Sequence, residues 1–397
     1  MKFRPASLSL FANMRAAGYA GPVLFRSADI PKRIRAMNRW PFIVLLMLMI
    51  SLPQWAHAQA KVGTAGVQFL KISPSCRAVG MGEAYVAVAN DASAIYHNPG
   101  ALARLDASEA VLAYVDYAAG LQYGYLGLAK PMPRLNGAFA GSVTYLTTDD
   151  MEETTPEMPN GTGRTFTAGD LAIGLTYSQM LTDKFSVGGT FKYLNETLAD
   201  ESAHGWAADV GTFYHTGWRS IRIAMLVSNF GPDMKFVDTP FPMPMNFTFG
   251  VAGYLVNSGD RQWWSGSDSV GTHALLASVS WSHPNDNLEM YNLGLEYSFQ
   301  NMAFLRLGKK INGFTRKTWE DYQRRIQANE DATNDDPYFE YPLFSKDGEF
   351  FQNGATLGAG VRIPSAGISL DYAFTGISYL DYIHRFSLSY RFNRSLP

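Results

Sequence analysis

The stretch Phe386-Ser387-Leu388-Ser389-Tyr390-Arg391-Phe392 alternates an apolar side chain with a small or charged one at every step. Successive side chains of a β-strand point to opposite faces. Phe386, Leu388, Tyr390 and Phe392 therefore share one face, with Ser387, Ser389 and Arg391 on the other. The same period runs upstream. Residues 366–375 set Ile368, Leu370, Tyr372 and Phe374 against Ser369, Asp371 and Thr375, and residues 350–362 set Ala355, Leu357, Ala359 and Val361 against Thr356, Gly358, Gly360 and Arg362. Residues 288–299 set Leu293, Leu295, Tyr297 and Phe299 against Gly294, Glu296 and Ser298. A sheet facing water would fill its second face with Lys and Glu. This one holds Gly, Ser, Thr and isolated charges, as a narrow lumen packed with small polar groups would.

Working outward from these, fourteen alternating segments can be traced, at 108–117, 121–130, 136–147, 166–179, 184–197, 205–215, 220–230, 246–256, 272–283, 288–299, 301–309, 350–362, 366–375 and 384–392. Each meets the roughly 9–11 residues that a tilted membrane strand needs. An even count returns both ends of a barrel to the periplasmic side, with short turns there and longer loops outside. Linkers after even-numbered segments (131–135, 180–183, 216–219, the step at Gln300, 363–365) are short, whereas 148–165, 231–245 and 310–349 follow odd-numbered ones. The linker 257–271, with Trp263-Trp264, is the exception. The expected fold is all-β: a closed antiparallel transmembrane β-barrel of about fourteen strands over 108–397.

Composition agrees. The 397 residues include 21 Tyr, 25 Phe, 8 Trp and 36 Gly, and only 17% are charged, against about a quarter in soluble domains. Mean hydropathy is −0.11, too low for a helical membrane bundle. Residues 1–60 carry eight of the 33 basic residues and one of the 35 acidic ones, Asp29, so the remainder has a net charge of (33 − 8) − (35 − 1) = −9. That balance argues against nucleic acid as a partner. The single cysteine, Cys76, excludes an internal disulfide and a multi-Cys metal site, and reads as a small buried apolar residue.

Asn38-Arg39-Trp40, the apolar run from Phe42 to Leu52 and Ala56-His57-Ala58 read as a signal peptide over 37–60. Eleven apolar residues fall short of the ~20 a spanning helix needs. Residues 1–36 show no apolar period and are expected to be an untranslated or disordered extension. An exported chain without a spanning helix, built of alternating strands, belongs in the outer membrane of a Gram-negative cell, with membrane lipid as its first partner.

Residues 61–107 do not alternate. They include Phe69-Leu70-Lys71-Ile72, then Arg77-Ala78-Val79-Gly80-Met81-Gly82, and end with Asp91-Ala92-Ser93-Ala94-Ile95-Tyr96-His97-Asn98-Pro99-Gly100. Gly80-Met81-Gly82 lacks the third glycine and the following Lys of a phosphate loop. Small residues instead suit a plug inside the barrel, with Asp91 capping a short helix over 92–97 and Asn98-Pro99-Gly100 turning the chain. This run, from Phe69 to Ala103, resembles the amino-terminal signature of the PorV/PorQ family, within the broader FadL-like group of outer-membrane barrels. Asn229-Phe230-Gly231-Pro232 and the closing strands are similar to it as well. The signature positions are Arg77, Gly80, Met81, Gly82, Asp91, Asn98 and Pro99. Gly100 stands where the family usually has Ala, and the loop 310–349, with Tyr338-Phe339-Glu340-Tyr341, has no counterpart in the pattern.

The resemblance implies a plugged fourteen-strand barrel and a shuttle role in type IX secretion. Such a barrel receives exported proteins that carry a carboxy-terminal sorting domain and passes them to a surface transpeptidase-like partner. The alternative within the group is a channel for hydrophobic small molecules. No catalytic or cofactor motif accompanies either reading. G-x-S-x-G and H-E-x-x-H are absent, and the seven His are scattered, so the expectation is a non-enzyme without cofactor or metal. The acidic run Asp149-Asp150-Met151-Glu152-Glu153 reads as a solvated loop surface that suits divalent cations, with a partner-docking patch as the sharper alternative.

Overall fold

The computed structural model describes residues 65–117, 120–218, 220–258, 271–312, 354–377 and 381–392. The signal segment, the extension before it and most of the 310–349 loop lie outside these residues. Strands β1 (Glu109–Tyr117), β2 (Leu121–Met132) and β3 (Gly137–Thr148) open the sheet. A small hairpin, β4 (Met151–Glu152) and β5 (Thr165–Phe166), leads to β6 (Ala168–Met180), β7 (Phe185–Leu198), β8 (Glu201–His215) and β9 (Arg222–Phe230). A second hairpin, β10 (Met234–Phe236) and β11 (Thr239–Phe241), precedes β12 (Asn246–Ser258), β13 (His273–Pro284), β14 (Met290–Phe299) and β15 (Ala303–Asn312). The sheet ends with β16 (Ala355–Ile363), β17 (Ile368–Ile377) and β18 (Asp381–Arg391).

Fourteen of these strands form one closed barrel in which each pairs with its neighbour along the chain, the two hairpins standing aside. Closure comes from β1 on β18, in register from Glu109 opposite Arg391 to Val115 opposite Arg385. Every strand pair is antiparallel, and because β1 closes on β18 the barrel has no open strand edge, which a sheet in hydrocarbon requires. The fourteen barrel strands coincide with the fourteen alternating segments of the sequence. Two differences have a physical reason. The strand expected at 205–215 starts at Glu201, because the ladder continues past the apolar band into polar residues. The two hairpins extend the long odd-side connections and are too short to show a period.

The period-2 reading also fixes the faces. Leu370, Phe386, Leu388, Leu293, Leu295 and Leu357 are exposed on the outer wall, whereas Glu296, Ser298, Thr356 and Ser387 are buried on the inner one. The lumen is less polar than the sequence led us to expect. Val111, Ala113 and Val115 on β1, Tyr123 and Tyr125 on β2, and Phe213, Leu226 and Leu276 also face inward and are buried. They pack on residues 78–105, and that packing is why both faces of β1 are apolar.

Candidate functional site

Residues 65–105 carry four short helical turns: Gln68–Lys71, Cys76–Gly80, Ala94–His97 and Pro99–Arg104. None is long enough to be stable alone, so their order comes from the wall. Met81, Tyr85, Val88, Ile95 and Leu102 are essentially inaccessible. Each full burial of such a side chain is worth about 1.5–3 kcal/mol, and together with the inward residues of β1 and β2 they make one continuous core.

The opposite side of the segment is held by charge. The Arg77 guanidinium grips Glu296 of β14 through Nε and Nη2, both at 2.7 Å. Glu296 also accepts from Nε of Arg306 at 2.7 Å, and Arg306 reaches Asp371 of β17 at 2.6 Å. On the segment itself, Arg77 Nη1 donates to Asn90 Oδ1 at 2.6 Å and to Asp91 Oδ2 at 3.2 Å. Asp91, Arg77, Glu296, Arg306 and Asp371 thus form an alternating chain of five buried or half-buried charges linking three strands to the lumenal segment. Desolvating so many ions is costly unless each is paired, and here each is.

Glycines bring the backbones together. A Cβ on Gly80 would lie 2.9 Å from Cα of Gly358, one on Gly82 2.6 Å from N of Lys309, and one on Gly294 2.6 Å from O of Met81. A Cβ on Gly308 would overlap the backbone of Met81 and Gly82. Gly82 also has φ +63°, a left-handed turn that side chains disfavour. Farther along, Asn98 Nδ2 donates to the carbonyls of Val86 and Thr212 at 2.9 and 3.1 Å, and its Oδ1 accepts from Gly100 N at 3.0 Å. Pro99 and Gly100 press on Gly188 and Gly211, where a Cβ on Gly100 would meet Gly211 O at 2.6 Å. The Gly100 carbonyl accepts from Ser178 and Ser186 at 3.3 and 2.7 Å.

All seven signature positions, Arg77, Gly80, Met81, Gly82, Asp91, Asn98 and Pro99, therefore lie where the segment meets itself or the wall. Two details differ from expectation. The helix expected over 92–97 is Ala94–His97, and its N-cap is Ser93. Asp91 instead accepts hydrogen bonds from the Ser93 amide at 3.0 Å, from the Ser93 hydroxyl and from Tyr85 Oη at 3.2 Å, which aims its carboxylate at Arg77. Asn98 caps the following turn, Pro99–Arg104, which the sequence reading did not separate. The wall partners Glu296, Arg306 and Asp371 were missed as site residues. Their signal was a single charge at an inward position of an alternating strand.

Burial would raise the Asp91 carboxyl, but the Arg77 guanidinium and the Ser93 hydrogen bonds outweigh it and hold it below its ordinary 3.8. Burial pushes His97 below its ordinary 6.5, against the pull of Glu83 and Asp91. A group whose pKa is depressed in the docked state stabilises that state above its free pKa and loses the effect as pH falls. Docking should therefore weaken in two steps on acidification: first below about pH 6.5, as a released His97 would protonate, and then below about 3.8 through Asp91. His97→Gln should abolish the first step alone. Burial also pushes the Cys76 thiol up to about 11, and the thiolate is the reactive form. A maleimide should leave Cys76 unmodified in the folded barrel and modify it fully in denaturant, as mass spectrometry would show. Release across the pH range is then read with a dithiodipyridine, which reacts with thiols in acid, the Cys76 rate at each pH being divided by its rate in denaturant at that pH.

A closed antiparallel barrel with an exposed apolar outer wall and a lumen filled by its own amino-terminal segment is an outer-membrane β-barrel. The family described as Type IX secretion system protein PorV matches residues 55–261, just over half of the chain. The chain belongs to the PorV family. Among solved structures it is similar to the Pseudomonas putida toluene transporter TodX, with 11% identity, 84% of this chain and 99% of that one covered, and a TM-score of 0.49. It is similar also to the Ralstonia pickettii toluene transporter TbuX (13%, 81% and 98%, TM-score 0.48) and to a Pseudomonas aeruginosa FadL homologue (12%, 81% and 99%, TM-score 0.45). No curated protein matches the chain.

Proposed function

We propose that this barrel works as a closed shuttle in type IX secretion. It holds exported proteins that carry a carboxy-terminal sorting domain on its extracellular side and passes them to a surface transpeptidase-like partner, with no chemistry of its own. The observation that supports this reading is the packing of residues 65–105 inside the barrel of a PorV-family chain. With residues 65–105 bound to the wall by a buried charge chain and a shared apolar core, the surface left for a partner is the loops. The connections 149–167 and 231–245, each extended by a hairpin, supply that surface on the side away from the short turns.

Pull-downs from detergent-solubilised outer membranes should recover sorting-domain proteins with the full chain. Recovery should fall several-fold when residues 153–164 are replaced by a short Gly-Ser linker. Recovery of none, together with uptake of a labelled fatty acid or aromatic hydrocarbon that depends on this gene, would replace the shuttle by a channel for hydrophobic molecules.

A further inference from the structure

The outer wall of β2, β3, β6, β7 and β8 is not a smooth apolar band. It is indented by a groove of about 700 Å³, walled by Leu128, Phe139, Leu175, Phe191 and Val210. Its floor is lined by Gly141, Gly189 and Ala208, with the buried residues Thr176, Thr190 and Asp209 between them. The side chains of those three polar residues turn inward, where Thr176 bonds Thr190 at 2.8 Å and Asp209 accepts from the Asn229 amide at 2.8 Å. The register places the small residues beside the large ones: Gly141 is opposite Leu128 and Leu175, Gly189 opposite Tyr177 and Val210, and Ala208 opposite Phe191.

These two glycines have no internal reason to be glycine. A Cβ on Gly141 would meet nothing nearer than Gly174 O at 3.8 Å, and one on Gly189 nothing nearer than Asp209 O at 3.5 Å. Neither has a positive φ. The outward-facing Gly124 is different, because the ring of Tyr145 lies over it. The lumenal Gly188, Gly211, Gly294, Gly308 and Gly358 are different too, because the inner segment presses on them. At 141 and 189 the described residues leave a space open, and small residues on a lipid-facing wall allow something to approach the backbone closely.

A cation stands at one lip. Lys130 is exposed on β2 and pairs across the strands with Phe139, on the same outer face and toward the short-turn end. It makes no ion pair among the described residues, and Arg134, in the turn that follows, is exposed as well. An apolar groove in the hydrocarbon zone ending at an unpaired ammonium matches an acyl chain joined to a phosphate. We propose that the groove is a binding site for one phospholipid of the periplasmic leaflet, its acyl chain lying over Gly141, Gly189 and Ala208 and its phosphate meeting Lys130. The inference is independent of client carriage.

Native mass spectrometry of the purified full chain, washed in detergent and then offered phosphatidylglycerol, phosphatidylethanolamine or uncharged diacylglycerol, tests it. Wild type should keep one phospholipid per barrel and little diacylglycerol. Gly141→Leu with Gly189→Leu should cut retention about tenfold. Lys130→Glu, an exposed change that leaves the barrel intact, should remove the preference for phospholipid over diacylglycerol. Equal retention of all three lipids by wild type and both variants would reduce the groove to ordinary annular contact and overturn the proposal. A wild-type dimer that the glycine variant converts to monomer would overturn it too, by seating a second copy of the chain there.

Discussion

Glu296→Gln will expose Cys76 to a maleimide at least a hundredfold faster than in the wild-type barrel. Glu296 is a carboxylate shared by two guanidinium groups, each at 2.7 Å. The glutamine keeps the volume and removes the charge, leaving Arg77 and Arg306 side by side in a largely buried space. Removing one partner of a buried ion pair costs about 3–5 kcal/mol, and each 1.4 kcal/mol is about tenfold in the population of the released state. When opening and closing are fast relative to labelling, the rate follows that population. The triple variant Arg77→Met, Asp91→Asn, Glu296→Gln should label more slowly than Glu296→Gln. It removes the stranded cation together with both anions it faced and leaves Arg306 with Asp371 at 2.6 Å. A labelling rate within twofold of wild type for Glu296→Gln would mean that the apolar core alone docks the segment and that the charge chain contributes nothing to holding it.

The parts of this molecule that could be read from its sequence are those governed by a local rule. A strand that faces hydrocarbon on one side must alternate, so the fourteen barrel segments were visible one by one, and closure followed from their even number and the order of short and long connections. The signature residues could be marked because Gly and Asn-Pro-Gly have few other uses at such density. What they touch could not be read. Arg77 and Glu296 are 219 residues apart, and neither position carries a period that points to the other. The pairing of Gly82 with Gly308 is equally non-local: each glycine is consistent with an ordinary turn or an ordinary lumenal face until the two backbones are seen in contact. Inward Val111, Val115, Tyr123 and Tyr125 defeated the simple rule for the opposite reason. A lumen occupied by protein is a core, and a core selects apolar residues on the face that a water-filled lumen would make polar.

That inversion gives the second large effect. Gly308→Leu should convert a closed barrel into a conducting one. The position faces inward on β15, opposite Gly294 on one side and Thr356 on the other, and the backbone of Met81 and Gly82 occupies the place a side chain would need. The obstacle is main chain inside a closed hydrogen-bonded wall, so it cannot rotate away as a flexible side chain would. The strained side chain is relieved only if the lumenal segment lifts off. Fourteen strands enclose more than their own side chains can fill: eight-stranded barrels are packed solid, whereas roughly 16–18 strands leave an aqueous channel. A barrel emptied of residues 65–105 should therefore pass ions. In planar bilayers the wild-type chain should show no steady conductance and Gly308→Leu frequent open events, with Cys76 labelled in the same sample. Gly141→Leu is the matched control: it adds the same side chain to the outer face, where a Cβ meets only an ordinary contact at 3.8 Å, and should stay closed. If Gly308→Leu is silent in the bilayer and Cys76 remains protected, the wall yields rather than the segment, and the seal is set by the barrel's shape instead of by the fit of its plug.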